Sequence, residues 1–147
     1  MQEIISNKIL WSVIIALVSA QVLKVPTEWI SMGTFDRKRL RGTGGMPSSH
    51  SASVTALATS IGIERGFGSA EFTIALVLAF VVMYDAIGIR RAAGRHAEIL
   101  NELVQELSDT FRDGFEPKRL RTLLGHTIPQ VIFGALLGIL ISILLHL

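Results

Sequence analysis

Two histidines in this chain stand where an imidazole could do chemistry. His50 ends the run Gly44-Gly45-Met46-Pro47-Ser48-Ser49-His50 and opens an apolar segment; His126 follows Gly125 and precedes another. Glycine allows turns that other residues resist, proline suits the first turn of a helix, and serine caps its start. The run therefore predicts a helix N-terminus, with outward N–H groups and the positive end of the dipole beside His50. Taken alone, it is also what a serine-capped helix with a surface histidine would show. Near other segment boundaries stand Lys24, Arg41, Asp85, Arg90, Arg91 and Arg121. Phosphoryl transfer without a metal needs cations on the phosphate oxygens, a nucleophile, and an acid for the leaving oxygen. Arginine supplies a permanent forked donor and lysine a point charge, while Ser48, Ser49 and the helix-start N–H groups add neutral donors. Of two imidazoles, one can attack phosphorus while the other protonates the departing alkoxide, since an ordinary pKa of about 6.5 permits both roles at neutral pH. Two histidines and Asp85 could ligate zinc, but the surrounding cations oppose it, and no metal or other cofactor is expected.

The elements that must position these residues are apolar. The chain has 147 residues, one domain's worth, and half of them are hydrophobic. That exceeds what a soluble domain carries and suits an all-α, polytopic membrane bundle forming a single integral-membrane domain over 1–147. Cysteine is absent, which excludes disulfides and thiolate metal sites. About four spans are expected, at 8–24, 48–63, 71–89 and 127–147, with Pro26 breaking the chain after the first. The second is built from small residues such as Ala52, Ser53, Ala56 and Ser60, which suits close packing inside a bundle better than contact with lipid. Between the last two spans, Leu100, Leu103, Val104, Leu107 and Phe111 recur at three- and four-residue steps among acidic residues, predicting an amphipathic cytoplasmic helix over 94–112. Gly134 and Gly138 give the last span a small-xxx-small spacing, and self-association through that helix into a homo-oligomer is an expectation.

Four spans place the segments alternately on two sides. Lys24, the Arg37–Arg41 knot, Arg90, Arg91, Arg95, Arg112, Lys118, Arg119 and Arg121 then share one side, and only Lys8 and Arg65 of the 14 basic residues fall on the other. The positive-inside rule makes the basic side cytoplasmic, with both termini outside in a multi-pass cell-membrane protein. His50, Asp85, His126 and Lys24 all fall in one layer at that cytoplasmic interface, where ionisable residues are functional candidates.

Pro47-Ser48-Ser49-His50 and Gly125-His126 resemble the second and third motifs of the type-2 phosphatidic acid phosphatase superfamily, which includes the vanadium haloperoxidases. The closer resemblance is to its divergent membrane branch, through Gln21 to Pro26, Gly44 to Ser51, Asp85 to Arg91, Leu100-Asn101 and Leu124 to His126. The resemblance implies that His126 is the nucleophile, forming a phosphohistidine, and His50 the general acid. Lys24, Arg41, Ser48, Ser49, Arg90, Arg91 and Arg121 would bind the phosphate. The chain departs from the superfamily pattern in four places. In the third motif Arg121 follows Leu120 and lies five residues before His126, instead of a Ser-Arg pair six before. Ser49 replaces the glycine of Pro-Ser-Gly-His, the lysine–arginine-proline motif is absent as such, and Gln130 replaces an acid four residues after the nucleophile. Asp85 could supply the missing charge, or could be a latch paired with Lys24 or Arg90.

These readings lead to a membrane phosphatase acting at the cytoplasmic leaflet. Its substrate would be a lipid phosphate of the phosphatidylglycerophosphate, phosphatidic acid or isoprenyl phosphate class. The alternative is a non-catalytic relative that binds phospholipid headgroups or a membrane partner. Partners are the lipid bilayer and the lipid substrate, with no nucleic acid.

Overall fold

The computed structural model describes residues 2–32, 45–110, 120 and 125–147, and the side chains of these except at 28, 31, 32, 89–91 and 108–110. The described residues form six helices: α1 (Gln2–Ile5), α2 (Lys8–Met32), α3 (Ser49–Arg65), α4 (Ala70–Ile87), α5 (Ile89–Thr110) and α6 (Ile128–His146). Among the described residues three segments are long and apolar enough to cross a membrane: Lys8–Thr27, Ala70–Leu107 and Ile128–His146. α3, expected as a span over 48–63, has 17 residues, many of them small or hydroxylated, and is not among these three. It is the central helix, packed on α2, α4 and most extensively α6.

The packing is the reverse of a soluble core. Ala16, Ala20, Ala52 and Ala56 are fully buried at the centre, with Leu137 and Ile141 against them. The largest wholly buried side chains are His126 and the serines Ser12, Ser48, Ser51, Ser60 and Ser142, while large apolar residues such as Ile74, Phe80, Phe133 and Leu140 point outward. Lipid tails are as apolar as leucine, so helices in a bilayer associate through close contact and hydrogen bonds rather than hydrophobic burial.

α3 and α6 run parallel, their contacts following one ladder. A side chain at Gly134 would strike the Ser48 backbone carbonyl, and one at Gly138 would strike the Ala52 carbonyl and Thr55 Oγ1. A turn further, Ser142 Oγ donates to Ala56 O at 2.9 Å and Ser60 Oγ to Ser142 Oγ at 3.1 Å. At the far end His146 Nε2 lies 3.2 Å from Glu64 Oε1. The Gly134 and Gly138 spacing thus serves a contact within the chain.

Two helix boundaries differ from those read in the sequence. α2 continues through Pro26 to Met32 instead of stopping at Lys24. Proline leaves carbonyls of the preceding turn without their usual donor. One residue on, the Thr27 hydroxyl lies 2.9 Å from Leu23 O and 3.1 Å from Lys24 O within the helix, and it also meets Met46 O, which ties this part of α2 to the segment before α3. α5 starts at Ile89 rather than 94, separated from α4 by Gly88 alone. It is amphipathic, and Leu100, Leu103 and Leu107 on it are exposed. Its Asn101 side chain forms a two-way amide pair with the Leu120 backbone, at 2.9 and 2.8 Å.

Gly134→Ala and Gly138→Ala should each destabilise the detergent-solubilised protein by about 1–3 kcal/mol, the range for overpacking a tight contact. Gly68→Ala, where an added methyl meets open space, should leave the melting temperature unchanged. Equal melting temperatures for all three variants would contradict this packing.

Candidate active site

One end of the bundle collects the C-terminal half of α2, the start of α3, the end of α4 and the start of α6. Each contributes a group because of its local geometry. Gly45 and Gly125 have φ of 90° and 92°, a left-handed conformation that favours glycine, and each turns the chain just before a histidine-bearing segment. Ser48 caps α3, its Oγ accepting the Ser51 N–H at 3.3 Å. The Ser48 N–H donates to Gln130 O at 2.9 Å, tying the start of α3 to the first turn of α6.

His126 is 2 % exposed and held from two sides. Its backbone N–H donates to Ala86 O on α4 at 3.0 Å. Its Nδ1 lies 3.2 Å from Gln130 Oε1, and that same oxygen accepts the Thr127 N–H at 3.0 Å. A backbone N–H can only donate, so the Gln130 atom between them is the acceptor oxygen, and Nδ1 must carry the imidazole proton. The lone pair is then on Nε2, which is buried and has no hydrogen-bond partner among the described residues. The His50 ring lies with its centroid 5.9 Å from that of His126, at an interplanar angle of 64°.

The positive charge is close. Lys24 is 4 % exposed, and its Nζ donates to Gln21 Oε1 at 2.9 Å. Ser49 Oγ donates to the same oxygen at 2.7 Å. Burial is the chief cause that lowers the pKa of His126, which lies outside the spanning helices, below its ordinary 6.5. The Gln130 hydrogen bond opposes this, the Lys24 and His50 charges add to it, and the Gly45 backbone opposes it. The folded protein therefore resists protonating His126. The contribution of this group to stability is present above pH 6.5 and declines as the pH falls below it, where the unfolded chain binds the proton first. At neutral pH His126 is an uncharged imidazole with its lone pair on Nε2.

Of the site residues expected from sequence, the structure brings together His50, His126, Lys24, Ser48 and Ser49. Asp85 is half-buried one residue before Ala86, but the His126 nitrogen that an acid would orient is met by Gln130. Arg41 and Arg121, and the side chains of Arg90 and Arg91, lie outside the described residues. Sequence reasoning missed two participants. Gln21 joins Lys24 to Ser49 from a position inside an apolar run, where it stood in the Gln21–Pro26 stretch without a role of its own. Ser51 is fully buried with no partner for its hydroxyl, and nothing separated it from its neighbouring serines. Among the described residues no three imidazoles or carboxylates converge as a metal would require.

Comparison with known proteins gives a family match over residues 5–141, described as the Divergent PAP2 family. The chain belongs to the Divergent PAP2 family. Within that family setting it is similar to the "Uncharacterized membrane protein YuiD" of Bacillus subtilis (strain 168), 39 % identical over 152 residues covering 97 % of this chain and 96 % of the relative. No solved structure matches. The family assignment agrees with the membrane helices and covers both histidine segments of this Divergent PAP2 protein.

Nitrogen-15 NMR of labelled histidine should find His126 at pH 7 neutral and protonated on Nδ1. Gln130→Glu, which presents a carboxylate to the same N–H, should move its titration midpoint upward. An Nε2-protonated tautomer in the unaltered protein would contradict the assignment.

Proposed function

We propose that this Divergent PAP2 protein hydrolyses a phosphate monoester of a membrane lipid through a covalent intermediate on His126. The observation that carries the reading is the buried, unpartnered Nε2 of a neutral imidazole, with a second imidazole and a buried ammonium around it. Nε2 attacks phosphorus as the ester P–O bond breaks, and the leaving alkoxide takes a proton from the His50 imidazolium. Neutral His50 then removes a proton from water, whose oxygen attacks phosphorus, and the P–N bond breaks to free phosphate and regenerate His126. Lys24, Ser49 and the first N–H groups of α3 stabilise the equatorial oxygens, with Arg41, Arg90, Arg91 and Arg121 as further cations. A phosphorylated lipid headgroup of the phosphatidylglycerophosphate, phosphatidic acid or isoprenyl phosphate class fits a site at one end of a membrane bundle.

Purified protein should release phosphate from such a lipid in the presence of a chelator and be inhibited by vanadate. His126→Ala should abolish release, and His50→Ala should lower it by about 10²–10⁴-fold, the usual contribution of general acid–base catalysis. Full activity in both variants would exclude the mechanism.

On this reading the site faces the cytoplasm and both termini lie outside, the orientation that the positive-inside rule favours for these basic segments. Since the chain has no cysteine, single cysteines introduced near residue 3 and at Gly68 should react with an impermeant thiol reagent in intact cells. A cysteine at position 95 should react only after lysis. The opposite pattern would invert the topology.

Gln130 supports a second reading. An amide orients the imidazole but does not stabilise the positive charge that develops on it, and losing a carboxylate in the comparable position of a catalytic triad costs about 10⁴-fold. A lipid-phosphate binder without turnover would show tight binding and no phosphate release in the same assays.

A further inference from the structure

α4 and α6 close on one another where Ala86 O receives the His126 N–H, and further along they leave a groove between them of about 400 Å³. Its wall includes Phe80, Tyr84, Ile87, Val131, Ala135 and Leu136. Ile87 and Val131 are the chain neighbours of Ala86 and Gln130, the two residues that hold His126, so one end of the groove lies a single residue along each segment from those contacts. The site is cationic and hydrogen-bonding; the groove is apolar and of a volume typical of ligand sites. One molecule that satisfies both has a phosphate at one end and a hydrocarbon chain at the other.

We propose that the α4/α6 groove is a subsite for one hydrocarbon chain of the lipid whose phosphate lies between His50 and His126. This rests on the phosphate-site reading above and extends it: the chain fixes the headgroup's approach to Nε2. Bulk bilayer lipid fills an apolar cleft without regard to headgroup. A substrate subsite fills preferentially with the chain of a phosphate monoester.

The test is fluorescence quenching in phosphatidylcholine vesicles. Leu136→Trp is made in a background carrying Trp11→Phe and Trp29→Phe, so that the groove holds the sole tryptophan. The probes are a chain-brominated, non-hydrolysable phosphonate analogue of phosphatidic acid and phosphatidylcholine brominated at the same positions. The phosphonate should quench at a several-fold lower mole fraction, and orthovanadate or Ala135→Phe should remove the difference. Equal quenching by the two lipids would overturn the proposal, whether or not phosphate is released from substrate. Preferential quenching without any turnover would uphold the groove and reject catalysis, so the two readings fail separately. With turnover present, Ala135→Phe should raise KM for a long-chain substrate and leave a short-chain, water-soluble phosphate monoester unaffected. An equal effect on both would count against the subsite.

Discussion

The close approach of α3 and α6 governs where everything else lies. Gly134 and Gly138 give up side chains so that the carbonyls of Ser48 and Ala52 can sit against α6, and Ser142 continues the ladder with a hydroxyl bonded to Ala56 O. Because the two helices are parallel, their N-terminal ends share one level. The Ser48 N–H to Gln130 O bond fixes that level to within a residue. His50 stands two residues after Ser48 and His126 four before Gln130, so the same contact that holds the helices together brings the imidazoles to 5.9 Å. A bilayer offers no hydrophobic drive for helix pairing, and small residues with hydroxyls are the means by which helices associate there.

Gln130 links scaffold to chemistry. It is the N3 residue of the α6 capping box, a helix-starting role that needs an acceptor oxygen facing the Thr127 N–H. That requirement also points the oxygen at His126 Nδ1, so the cap of a membrane helix sets a tautomer. Burial keeps the ring neutral, and Lys24 and His50 reinforce this. A neutral imidazole with a defined bare nitrogen is what attack on phosphorus requires. The amide achieves orientation without the charge stabilisation a carboxylate would add.

Much of the fold was legible because membrane helices write themselves in runs of apolar residues. The helical class and the apolar character of α2, α4 and α6 follow from that, as does the amphipathic α5. The composition of α3 likewise announced an interior position. What escaped was carried by side-chain hydrogen bonds that no local pattern encodes. α2 runs on past Pro26, a residue that ordinarily marks a stop, and Thr27 beyond it meets Met46 O. Gln21 couples Lys24 to Ser49, a contact across 28 positions of chain. Gln130 read as an acid replaced by an amide that could still accept an imidazole N–H, and the Thr127 N–H on the same oxygen is what orients that acceptor. Asp85 attracted attention as a charge near a boundary, yet the nitrogen it was matched to has another partner.

The most direct measurement is an experimental structure with orthovanadate bound. Vanadium should lie within bonding distance of His126 Nε2, with His50 hydrogen-bonded to one oxygen and Lys24 beside the others. Vanadate bound away from both imidazoles, or bonded to His50 with His126 remote, would contradict it.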